Sequence, residues 1–117
     1  MESVAILGAT GSIGKSSLDV ISRYPDRFTV YAVTANSSVK KLAQAAKDSG
    51  AKVAVIADKE LLGALQDELK AAGSRAQALA GAKAIDEIAS SPEVDIVIGA
   101  IVGAAGIYST FKAGLKR

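Results

Sequence analysis

Ser3-Val4-Ala5-Ile6-Leu7-Gly8-Ala9-Thr10-Gly11-Ser12-Ile13-Gly14 decides the fold. A short apolar run enters a G-x-x-G-x-x-G turn, and helical periodicity follows at once. Ser3–Leu7 has the continuous apolar character of a strand buried on both faces. Ile13, Ser17, Leu18, Ile21 and Tyr24 then recur at helical spacing until Pro25. Outward from this unit the pattern repeats. Strands are expected at Phe28–Thr34, Val53–Ile56, Arg75–Leu79 and Asp95–Ala100, and helices at Val39–Ser49, Lys59–Ala72, Lys83–Ser90 and Gly103–Ala113. Gly50 and Gly73 supply helix stops.

Five strand–helix units without linker or repeat predict an α/β fold of three αβα layers. The expected architecture is a Rossmann-type open parallel sheet in the order 4-3-2-1-5, forming one domain over residues 1–117. The crevice at the switch point would then lie between the ends of the first and fifth strands. Those ends carry the glycine clusters Gly8–Gly14 and Gly99–Gly106.

Composition removes several functional classes. The 117 residues are 50% apolar and 22% charged, which excludes a disordered chain. No cysteine or histidine is present, so neither disulfides nor thiolate or imidazole metal sites are available. Fourteen basic against twelve acidic residues, with five scattered aromatics, make no nucleic-acid footprint. The longest uncharged apolar run, Ile96–Tyr108, has thirteen residues, short of the roughly 18 a membrane span needs. The start lacks the basic and apolar regions of a signal peptide, so a soluble, cytoplasmic protein without membrane partners is expected. Binding, rather than acid–base chemistry, is the function to look for.

Each glycine in the first cluster has a physical task. Gly8 permits the turn, Gly11 lets a pyrophosphate approach the backbone, and Gly14 lets the helix pack on the sheet. The N–H groups of Thr10, Gly11, Ser12 and Ile13 would donate to the pyrophosphate at a helix N-terminus, with the Thr10 and Ser12 hydroxyls adding donors. Gly14-Lys15-Ser16 suggests a phosphate-binding P-loop, but the glycine spacing is wrong for one.

The end of the second strand bears on the choice of dinucleotide. NAD sites place an acid there, whereas no acid occurs between Phe28 and Lys47. Ala35, Asn36, Ser37 and Ser38 offer small and neutral polar groups, and Lys40 and Lys41 follow in the next helix. That favours NADP(H), whose 2′-phosphate a carboxylate would repel. One of the two serines is also expected to cap that helix. Ala100, Ile101 and Gly103 are the expected contacts for the nicotinamide half.

Three segments together, Gly8–Phe28, Ala32–Ser38 and Ala100–Gly106, resemble the amino-terminal NADPH-binding domain of the 1-deoxy-D-xylulose 5-phosphate reductoisomerase family. The resemblance implies NADPH as cofactor and relatives that form homodimers. It also implies isomerisation of 1-deoxy-D-xylulose 5-phosphate and its reduction to 2-C-methyl-D-erythritol 4-phosphate, with Mg²⁺ or Mn²⁺, in isoprenoid biosynthesis. Ser109 stands where the family has proline, and Phe111–Arg117 departs from its small apolar pattern. The family's metal carboxylates, lid and substrate-phosphate site correspond to positions beyond Arg117. The expectation is therefore a cofactor-binding unit without catalytic residues or metal, inactive alone. The alternatives are a free-standing nucleotide-binding module, an engineered fold without ligand, and a different NADP-dependent reductase, against which the third segment argues.

Overall fold

Strand side chains alternate between the two faces of a sheet, and here that alternation sorts the apolar residues into two cores. The computed structural model describes residues 2–9, 11–99 and 109–110. Strands β1 (Glu2–Leu7), β2 (Phe28–Ala35), β3 (Val53–Ile56), β4 (Gln77–Ala80) and β5 (Ile96–Gly99) are connected through helices α1 (Ser12–Ser22), α2 (Val39–Ser49), α3 (Leu62–Ala72) and α4 (Ala82–Ser90). Their order is β4-β3-β2-β1-β5, all parallel, as the periodicity predicts.

Val4 and Ile6, Val33 and Ala35, and Ala54 and Ile56 face a core shared with Ile21 of α1, Leu42 of α2, and Leu65 and Leu69 of α3. Ala5, Ala32, Val53, Val55 and Val97 face a second core with Ile88 of α4. Among the described residues three helices therefore cover one face and α4 the other. Right-handed crossovers produce this arrangement when the chain steps from β1 out to β4 and then returns to the far side of β1. Among the described residues no helix is long and apolar enough to cross a membrane.

The β1–β2 register contains a bulge: Val4 pairs with Val30, but Ala5 pairs with Ala32. Tyr31 is the extra residue, and it packs in the same core as Ala32 rather than the opposite one. Its phenol pKa is raised, first by a hydrogen bond to the Glu93 carboxylate, then by burial and by the Glu93 charge.

Several boundaries differ from those expected. Helix α1 ends at Ser22, because the Arg23 and Tyr24 N–H groups turn back tightly to Val20 and Ile21. Tyr24 thus leaves the inward stripe and is 47% exposed. The predicted helix from Lys59 begins as a 3-10 turn, Lys59–Leu61, because the Asp58 carboxylate accepts the Glu60 N–H. Ser74 likewise bonds the Ala76 N–H and delays β4 to Gln77. Ser109 and Thr110 are not helical; they form a short strand, β6, antiparallel to β5. The sheet is therefore not wholly parallel, and the reason is that the outer edge of β5 finds backbone partners there. The remainder of the expected last helix lies outside the described residues.

Neighbouring positions of α1 provide a test of this packing. Ile21 is 8% exposed and Val20 51%. Ile21→Ala is expected to cost about 2–4 kcal/mol, whereas Val20→Ala changes stability by no more than about 0.5 kcal/mol, as read by urea unfolding.

Candidate dinucleotide site

Leu7 at the end of β1 pairs with Gly99 at the end of β5, while β2 lies on the other side of β1. The direction of winding reverses at this strand, and its carboxyl end opens the crevice. The turn out of β1 is held by β2. The Gly8 N–H donates to Thr34 Oγ1 at 3.1 Å, and the Ala9 N–H donates to the Thr34 carbonyl at 2.8 Å. Gly8 has φ +72°, the left-handed region where a side chain is strained. Its carbonyl accepts the Gly11 N–H at 3.1 Å.

The glycines then divide by what surrounds them. A Cβ on Gly14 would lie 2.3 Å from the Gly8 carbonyl oxygen and 2.6 Å from Ala9 Cα, so α1 can pack this close only through glycine. A Cβ on Gly11 would meet the same oxygen at 3.6 Å, an ordinary contact, and its φ of −83° suits any residue. Nothing in the described chain requires glycine at position 11. Helix α1 has no side-chain cap at Gly11 and no acid in its first turn. Ser12 and Ile13 are its first two residues, so its leading N–H groups face the crevice end with the positive end of the dipole.

The second segment leaves β2 two residues after the contact with Gly8. Ala35 is buried, and its carbonyl accepts the Ala57 N–H at 2.9 Å; the Asn36 carbonyl accepts the Asp58 N–H at 3.2 Å. Asn36, Ser37 and Ser38 are exposed. Ser38 occupies the N-cap position of α2, but its hydroxyl makes no capping bond, contrary to expectation. The carbonyls of Ser37 and Ser38 organise the turn instead, accepting from Val39 and Leu42. The first turn of α2 carries no acid.

Gly8, Gly11, Ala35, Asn36, Ser37 and Ser38 are thus brought to one edge of the sheet together with the start of α1. Thr10, Ala100, Ile101 and Gly103 lie outside the described residues. Two features escaped sequence reasoning. Thr34, a buried polar side chain, reads in the sequence as one more β-branched strand residue. Lys15 and Lys41 line a common cavity of about 440 Å³ between α1 and α2, together with Ala9, Asp19 and Asp48; Lys40 does not line it. Helical spacing alone does not indicate which lysine of an adjacent pair faces a neighbouring helix. Asp95 lies at the opposite end of the sheet, where its carboxylate accepts the Ser3 N–H at 2.8 Å. Among the described residues no three acids are grouped to hold a metal.

The contrast between the two glycines is measurable. Gly14→Ala is expected to lose at least about 1–3 kcal/mol of stability, because backbone atoms must move to admit the methyl group. Gly11→Ala is expected to melt within a degree or two of the unmodified chain in circular dichroism.

Comparison with known proteins agrees with this geometry. The sequence model of 1-deoxy-D-xylulose 5-phosphate reductoisomerase matches residues 4–116. The reductoisomerase of Nitrosospira multiformis is 47% identical over 110 residues, covering 94% of this chain and 28% of that protein. That of Cellvibrio japonicus is 48% identical, covering 98% and 30%. Among solved structures, the Zymomonas mobilis reductoisomerase in complex with NADPH superposes with a TM-score of 0.80 at 51% identity, over 90% of this chain and 27% of that one. A reductoisomerase complex with NADPH, fosmidomycin and magnesium superposes at 0.81 with 40% identity, over 91% and 26%. The chain therefore spans under a third of the length of these relatives. Matched along nearly its whole length in sequence and over nine-tenths of it in structure, the chain belongs to the 1-deoxy-D-xylulose 5-phosphate reductoisomerase family.

Proposed function

We propose that this chain binds NADPH along the carboxyl edge of its sheet, as a single cofactor-binding domain over residues 1–117. The carrying observation is the pairing of an uncapped helix start at Gly11 with an acid-free turn at Asn36–Ser38, joined through Thr34. The donor set suits two phosphate groups of one ligand. The N–H groups at the start of α1, with Thr10, Ser12 and Ile13, take the pyrophosphate. Asn36, Ser37 and Ser38 take the 2′-phosphate, and Ala35 lies beneath them. Lys15 and Lys41 line the adjoining cavity, but Asp19 and Asp48 line it too, so the phosphates are held by the N–H and hydroxyl donors rather than by its charge. Ala100, Ile101 and Gly103 contact the nicotinamide half. At Gly11 a Cβ would make only an ordinary contact, so the chain's own packing does not account for glycine there, and close approach of the pyrophosphate does.

NADPH supplies hydride when bound; the residues of this chain bind and orient it. The relatives' names support a place in the isomerisation and reduction of 1-deoxy-D-xylulose 5-phosphate; a cytoplasmic location and assembly into homodimers are proposed from the family resemblance alone. The described residues do not fit the divalent metal that such chemistry employs, because no three of their acids are grouped to hold it: Asp67, Glu68, Asp86 and Glu87 lie along helices, Asp95 at the far end of the sheet, and Asp58 stands apart from them beside Asn36.

Fluorescence titration tests the binding. NADPH is expected to bind more tightly than NADH, and Asn36→Asp to remove most of that difference, on the order of 1–3 kcal/mol, by setting a carboxylate against the 2′-phosphate. Equal affinities in the unmodified chain overturn the assignment. Binding of ATP as tight as that of NADPH favours a general nucleotide module instead.

Turnover is tested separately by NADPH absorbance with 1-deoxy-D-xylulose 5-phosphate and Mg²⁺ or Mn²⁺ present. The 117-residue chain alone is expected to oxidise no NADPH. Metal-dependent oxidation by this chain, free of any longer reductoisomerase, contradicts its reading as a cofactor-binding unit.

A further inference from the structure

We infer that Thr34 is a positioning residue that sets the pyrophosphate turn relative to the 2′-phosphate turn; this rests on the NADPH reading above. The residue is 3% exposed, buried in the sheet. Two consecutive N–H groups of the glycine turn end on this one residue: Gly8 on the hydroxyl oxygen at 3.1 Å and Ala9 on the carbonyl at 2.8 Å. The second bond is main-chain and survives any substitution. The first belongs to the side chain alone.

What the first bond controls follows from geometry. Gly8 sits at φ +72°, and its carbonyl faces both the Gly11 N–H and the Cα of Gly14, where not even a methyl group fits. A rotation of the Gly8 peptide would therefore displace the start of α1 or break its contact with the sheet. Downstream, Thr34 is two residues from Asn36, whose carbonyl is fastened to β3 through the Asp58 N–H. The hydroxyl of Thr34 thus connects a turn anchored on β1 to a turn anchored on β3. A ligand that spans both turns feels that connection; a ligand that fills only the second does not.

The experiment uses the unmodified chain, Thr34→Val and Thr34→Ser, with two probes. NADPH spans both turns, and adenosine 2′-phosphate lacks the pyrophosphate. Valine keeps the shape and removes the acceptor, so NADPH is expected to bind about tenfold more weakly to Thr34→Val, while adenosine 2′-phosphate affinity stays within twofold. Thr34→Ser restores the acceptor and is expected to recover NADPH affinity to within about threefold. Amide exchange at Gly8 accelerates in Thr34→Val and returns to the original rate in Thr34→Ser. Unchanged NADPH affinity in Thr34→Val overturns the inference while leaving the cofactor assignment intact. An equal loss of both probes overturns it as well, since it makes Thr34 a merely structural residue. Failure of the unmodified chain to bind NADPH is the distinct outcome that removes the cofactor assignment, and this inference with it.

Discussion

A missing Cβ at Gly14 brings the first turn of α1 against the end of β1, so close that a Cβ there would lie 2.3 Å from the Gly8 carbonyl oxygen. Much of the site depends on that approach. It directs the uncapped start of α1 toward the crevice and leaves Ala9 fully buried beneath the helix. It also requires Gly8 to turn in the left-handed region, where β2 holds it through Thr34. A larger residue at position 14 would lift the helix, and the donors would lose their common direction.

The sheet sets the other coordinate. Parallel pairing aligns Leu7 with Gly99 and Ala35 with Ile56, so the turns after these strands emerge along one edge. The bulge at Tyr31 shifts every later residue of β2 by one place relative to β1. Because of that shift Val33 and Ala35 face the three-helix core, and Thr34 stands opposite the departing glycine turn. A local irregularity in mid-strand thereby decides which side chain meets the glycine turn.

The first turns of α1 and α2, which flank the site, carry no acid. Asp58 stands beside the second turn, its N–H donating to the Asn36 carbonyl, and Lys15 and Lys41 share the cavity between α1 and α2 with Asp19 and Asp48. At the far end of β5, Asp95 joins the strand to β1 by accepting the Ser3 N–H. The carboxylate thus closes the sheet at the end away from the crevice.

The sequence by itself determined the first five strands, the four helices between them, their order and the glycine turn. Continuous apolar strands, helical stripes and glycine stops are local patterns, and α2 and β3 fall on the expected residues, Val39–Ser49 and Val53–Ile56. The acid-free stretch after β2 was legible for the same reason, since an absence of charge needs no coordinates. The tertiary structure alone decided what depends on residues far apart in the chain. It separated Gly14, crowded by backbone, from Gly11, which has room for a side chain. It turned Thr34 from a strand residue into the partner of Gly8, 26 positions away, and it selected Lys41 over Lys40. It also replaced the expected helix at Ser109–Thr110 with an edge strand. Propensity acts between neighbours in sequence, whereas register, edge pairing and steric room arise only when distant segments are packed together.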